Sequence, residues 1–127
     1  MSYLVVCKSQ GKNYLLLNEY ETGYAIQGYD NKEDVMYAFR QYTEKFKMDQ
    51  TWLMSATMGM VQMNPTALVA PENPEDLRKY LMNGNVVQVS GGVLGRGYTG
   101  TEVNEDILKL EGFSIWDECM RRAGLKN

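Results

Sequence analysis

Tyr3-Leu4-Val5-Val6-Cys7-Lys8-Ser9, then Gln10-Gly11-Lys12, then Asn13-Tyr14-Leu15-Leu16-Leu17-Asn18-Glu19-Tyr20: two runs rich in aliphatic and β-branched residues flank a short turn. They read as two strands, the second with Tyr14, Leu16 and Tyr20 on alternating positions. Glu21-Thr22-Gly23 is a further turn, and a third strand runs from Tyr24 to Tyr29. These segments predict a three-stranded antiparallel meander. Asp30 then stands as an N-cap, with Glu33 three residues later in a capping-box pattern. Val35, Phe39, Tyr42 and Phe46 follow at helical spacing, which predicts an amphipathic helix over residues 31–47. Lys45 and Lys47 fall in its last turn, where cations complement the helix dipole. A meander followed by such a helix places the chain in the α+β class.

The same reading extends outward. Residues 51–63 predict a long strand with Trp52, Met54, Ala56, Met58 and Met60 on one face, Gly59 as a bulge, and Asn64-Pro65 as its end. Residues 67–69 are a short apolar run. Asn73-Pro74 reads as N-cap and first helical residue of a helix reaching Met82, closed by Asn83-Gly84. Residues 85–90 predict a strand, and residues 91–100 a glycine-rich loop. Two short helices complete the chain. One spans about residues 102–110. The other begins after Ser114, which pairs with Asp117 in a second capping-box pattern, and ends at Ala123 with Gly124 as C-cap and Arg121 and Arg122 in its last turn. The expected architecture is a single domain over residues 1–127. It has an antiparallel sheet of about five strands with the 31–47 helix packed on one face. The helical C-terminus covers an edge or the other face.

Composition narrows the function. A chain of 127 residues with 44% apolar and 23% charged side chains is long enough to bury roughly two-thirds of its extended surface in one core. Thirteen basic and 16 acidic residues give a net charge of −3, spread without a basic tail or acidic arm. Duplex nucleic acid is disfavoured as a partner, because phosphate contacts need a visible excess of Lys and Arg. No apolar run approaches the ~20 residues of a membrane-spanning helix. The N-terminus lacks the basic and apolar regions of a signal peptide. Cys7 and Cys119 form no disulfide framework, so a cytoplasmic location with reduced thiols is expected.

The chain contains no histidine. That removes the commonest general base near neutral pH and the Ser-His-Asp and Cys-His nucleophile systems. It also removes His-containing zinc and iron sites, and two cysteines are too few for a thiolate zinc site. No cofactor is implied. Gly95-Arg96-Gly97-Tyr98-Thr99-Gly100 matches G-x-G-x-x-G, but a dinucleotide site needs that motif directly after a strand, opening a helix, with another parallel strand beyond. Ser90 to Leu94 intervene here. What remains is a loop whose backbone N–H groups, with Arg96, are suited to an anion or nucleotide phosphate, against the plainer reading of a glycine-rich turn. Met54, Met58, Met60 and Met63 form a thioether cluster; an adaptable core or interface strand fits better than copper, because no Cys or His lies nearby. Tyr3, Tyr14, Tyr20, Tyr24 and Tyr29 crowd the meander. Stacking of single-stranded bases and a half-buried or interface role are both open to them, and Glu19 and Glu21 favour the latter.

The stretch from Gly23 to Asp34 resembles the strand-to-helix junction of HicB-type antitoxin domains, which also place a Gly and capping residues between a meander and an amphipathic helix. The likeness rests on cap and turn chemistry, and nothing after Met48 matches, so no family follows from it. The sequence therefore leaves two expectations. The first is a small non-enzymatic binding or assembly module, of the kind found among phage accessory proteins. It would meet a protein partner or itself through Trp52, Met54, Met58, Met60 and Tyr24. The second is a small-ligand or nucleotide-phosphate binder using Gly95, Arg96, Gly97 and Gly100.

Overall fold

The computed structural model describes residues 3–40, 65–90 and 97–124. Seven strands lie among them: β1 (Tyr3–Ser9), β2 (Lys12–Tyr20), β3 (Gly23–Ile26), β4 (Thr66–Val69), β5 (Leu81–Ser90), β6 (Gly97–Val103) and β7 (Gly112–Ser114). All pairings are antiparallel, in the order β5-β6-β2-β1-β4-β7, with β3 on the C-terminal end of β2. Two α-helices, α1 (Lys32–Ala38) and α2 (Ile115–Arg122), and two 3₁₀ segments, Pro74–Tyr80 and Glu105–Lys109, complete the described chain. The class is α+β as expected, with seven strands where the sequence indicates about five.

The meander forms as read. Ser9 pairs with Lys12 across a two-residue turn in which Gln10 (φ 51°) and Gly11 (φ 78°) are both left-handed, the geometry that matches the twist of a tight hairpin. Tyr29 exchanges two backbone hydrogen bonds with Tyr3 and ties the end of the meander back to β1.

The unbroken apolar run of β1 has a structural reason: the sheet is covered on both faces. Val5, Cys7 and Leu16 point into one cluster with Val35, Met36 and Phe39 of the α1 region, Ala67, Val89, and Ile115 and Cys119 of α2. Leu4, Val6 and Leu15 point into the other with Leu68, Leu77, Tyr80, Val103 and Ile107, capped by the two 3₁₀ segments. Asn104 fastens these segments together. Its N–H donates to the Tyr80 carbonyl at 2.8 Å, its Nδ2 donates to the Lys79 carbonyl at 3.1 Å, and its Oδ1 accepts from the Asp106 N–H at 3.0 Å.

Several expectations are corrected. The N-cap of α1 is Asn31, not Asp30: its Oδ1 accepts from the Asp34 N–H at 2.9 Å. Val35 and Phe39 are buried as the helical spacing predicts; Tyr42, Phe46 and the rest of the predicted helix lie outside the described residues. Asn73 and Pro74 start a helical segment as read, but it is 3₁₀ and ends at Tyr80. Asn83 and Gly84 are no C-cap. They sit in an irregularity of β5 between the pairs Leu81↔Val103 and Val86↔Thr101, with Gly84 at φ 72°. The predicted 102–110 helix shrinks to Glu105–Lys109, because Glu102 and Val103 finish β6. β7, three residues long, escapes the sequence reading altogether. The C-terminal helix begins at the Ser114 cap, whose Oγ accepts from the Asp117 N–H at 3.2 Å, and closes at Gly124 (φ 79°), both as predicted. It packs on the same face as α1, not on an edge or the opposite face.

Candidate interaction surface

β5 ends the sheet. Among the described residues it pairs on one side only, with β6, through Val86↔Thr101, Val87↔Gly100, Gln88↔Thr99, Val89↔Tyr98 and Ser90↔Gly97. Its other edge presents backbone N–H and C=O groups, a template for a further strand. Leu81, Met82, Val86 and Val87 are 39%, 56%, 37% and 39% exposed. The strand reads Leu-Met-Asn-Gly-Asn-Val-Val-Gln-Val-Ser, without one charged residue or proline. Natural edges are usually blunted by such residues. The single blunting device here is the irregularity at residues 82–85, held by the Asn85 N–H donating to Asn83 Oδ1 at 2.9 Å. Beyond it, residues 86–90 pair regularly. Gln88 is anchored to β6 by its Nε2 donating to Thr99 Oγ1 at 3.2 Å.

A second apolar feature lies at the tip of the β2–β3 hairpin. Tyr20 and Tyr24 are 57% and 50% exposed. Tyr24, a sequence-predicted interface residue, sits opposite Glu19, and Tyr20 opposite Gly23. Opposed residues share a face, so the two rings project from opposite faces of the tip. The other predicted interface residues, Trp52, Met54, Met58 and Met60, lie outside the described residues.

The glycine-rich stretch divides. Gly95 and Arg96 lie outside the described residues, whereas Gly97 and Gly100, read as loop, belong to β6. Gly100 is buried opposite Leu16 on one side and Val87 on the other. A Cβ there would stand 3.1 Å from the Leu15 carbonyl oxygen and 3.2 Å from both Tyr14 Cβ and Val89 Cγ2. Close strand packing thus accounts for this glycine.

The most perturbed carboxylate is Glu118 on α2, 7% exposed. Its oxygens accept from Arg121 Nε at 2.9 Å, Arg121 Nη2 at 2.5 Å and Arg122 Nε at 3.4 Å, and Lys32 Nζ lies 3.3 Å away. The Arg121 hydrogen bonds, opposed in part by desolvation and aided by Lys32, hold this carboxyl down to about 2. Arg122 also grips Glu33 of α1 in a two-pronged contact at 2.6 and 3.1 Å, which lowers the Glu33 pKa. Lys32 Nζ lies 5.0 Å from the centre of the Phe113 ring. The network clamps α2 to the start of α1. Arg121 and Arg122, read from sequence as complements of a helix dipole, have Glu118 as their partner. The Glu118–Arg121 and Glu118–Arg122 spacings are the local signal for it, whereas Glu33 is 89 residues from Arg122 and no local pattern reveals it.

No helix among the described residues is long and apolar enough to cross a membrane. Among those residues no three His, Cys, Asp or Glu side chains gather as a metal-binding group. No family model, no curated protein and no solved structure matches this chain.

Proposed function

We propose that the chain is a small non-enzymatic binding or assembly module that engages protein through strand pairing at the free edge of β5. The observation that carries this reading is the ten-residue edge strand Leu81–Ser90, which bears no charge and exposes Leu81, Met82, Val86 and Val87. Strand addition draws affinity from main-chain hydrogen bonds and selectivity from alternate side chains. The chemistry of the chain supports the same reading. With no histidine, carboxylates, Lys and Tyr are the main remaining acid–base groups, and Glu118, the most perturbed carboxylate, is committed to Lys32, Arg121 and Arg122.

Native mass spectrometry of gently purified protein tests the reading, with Val87→Lys as the comparison. Lysine at this exposed position supplies the charge that natural edges carry. The wild type is expected to retain protomer multiples or an associated protein, and Val87→Lys to lose them. Identical species in both proteins, or bare protomers in both, refute it.

A further inference from the structure

We infer that the strand received by this edge is β5 of a second copy, antiparallel to the first about a two-fold axis at Gln88. The inference rests on the proposal that the β5 edge is the contact surface. A two-fold pairing sets residues of the strand against the same strand in the partner, so charges of one sign on it would face each other. Leu81–Ser90 carries none. It offers no complement to an acidic or basic strand. It fits an uncharged one, and each copy of the chain brings such a strand.

The register follows from the pleat. Directly opposed residues share a face of the sheet, and successive residues alternate faces. A two-fold axis between antiparallel copies must therefore fall on a residue, not between two. The irregularity at residues 82–85 leaves residues 86–90 as the regular run, and its middle residue is Gln88. Centring there uses the whole run and sets Val87 of each copy opposite Val89 of the other. Val89 belongs to the core cluster under α1 and α2, and Val87 lies on that same face, opposite Gly100. Cross-strand β-branched pairs of this kind stabilise sheets. The register holds whichever alternate residues turn their N–H groups outward: Gln88 then forms either the hydrogen-bonded or the non-hydrogen-bonded central pair. The two sheets become one.

Cross-linking and native mass spectrometry together test this. At a two-fold centre Gln88→Cys faces its own counterpart, with Cα atoms about 4.5–5.5 Å apart, within disulfide range. Cys7 and Cys119 are both buried, so a covalent dimer reports the introduced thiol. We expect Gln88→Cys to give a disulfide dimer under mild oxidation and Thr22→Cys, on the exposed turn of the β2–β3 hairpin, to give none. The wild-type dimer should be lost in Val87→Lys and kept in Val87→Thr, with circular dichroism checking that both variants fold. A dimer that survives folded Val87→Lys, or a Gln88→Cys protein that stays monomeric, overturns the self-pairing. A monomeric wild type holding a foreign protein that Val87→Lys releases overturns the self-pairing and leaves the edge reading standing. Monomers without any bound protein in every variant overturn both.

Discussion

Replacing Glu118 by Gln keeps the size of the side chain and removes the charge at the centre of the α1–α2 clamp. The loss is partial, because Arg122 retains Glu33 and Lys32 retains the Phe113 ring. Removing one partner of a fully buried pair costs about 3–5 kcal/mol, while an exposed pair contributes about 0.2–1 kcal/mol. Glu118 is buried, but Lys32, Arg121 and Arg122 are 43%, 55% and 29% exposed and regain water when released. The expected destabilisation at pH 7 is therefore about 1–2 kcal/mol, between those limits. Its pH dependence is fixed in sign. The folded carboxyl is held down to about 2, below the unfolded value of about 4.3. The contribution is then fully present above the unfolded value and fades as pH falls towards the folded one. Urea unfolding followed by Trp fluorescence, at intervals from pH 7 to pH 2, should show the gap between wild type and Glu118→Gln closing below about pH 4. A gap that is absent at pH 7, or constant across the series, would refute the clamp.

Other consequences are as direct. A Cβ at Gly112 would run into the backbone carbonyl of Ala67, so Gly112→Ala should force β7 from β4 and cost about 1–3 kcal/mol, read by thermal unfolding. Phe39, fully buried and stacked on Tyr98 with ring centres 6.2 Å apart, should cost about 3–5 kcal/mol on truncation to Ala, read by urea unfolding. Burial pushes the Cys7 thiol up to about 12, and Cys119 is equally enclosed, its Sγ 3.8 Å from the Phe39 carbonyl oxygen. A thiol-reactive chromophore should label neither in native protein at pH 8 and both in denaturant.

The elements legible in the sequence are those whose causes are local. The β1–β3 meander declares itself through turn residues, and α2 through Ser114, Asp117 and Gly124. The misread segments answer to neighbours far along the chain. Residues 97–103, Gly-Tyr-Thr-Gly-Thr-Glu-Val, have weak strand propensity, yet β2 and β5 on either side make them a central strand, and Gly100 is needed because those strands come so close. Glu102 carries good helix propensity and is overruled by pairing with Tyr14. Three residues of β7 are too few to announce a period. Of the candidate contact surface, Tyr24 was legible as an exposed aromatic. The edge of β5 was not, because a strand becomes an edge only when the order of the whole sheet is known.

That order also has a temporal side. β2 leaves the ribosome within the first twenty residues, but its partner β6 ends at Val103. Translation at about 5–20 residues per second makes the hairpin wait roughly 4–17 seconds for that strand. Through this interval Leu15, Leu16 and Leu17, all buried in the finished sheet, have no lateral cover on that side. The nascent hairpin is thus the stage of this protein's life most open to wrong pairing. A chain stalled before Gly97 would remain in that state for as long as it stayed tethered.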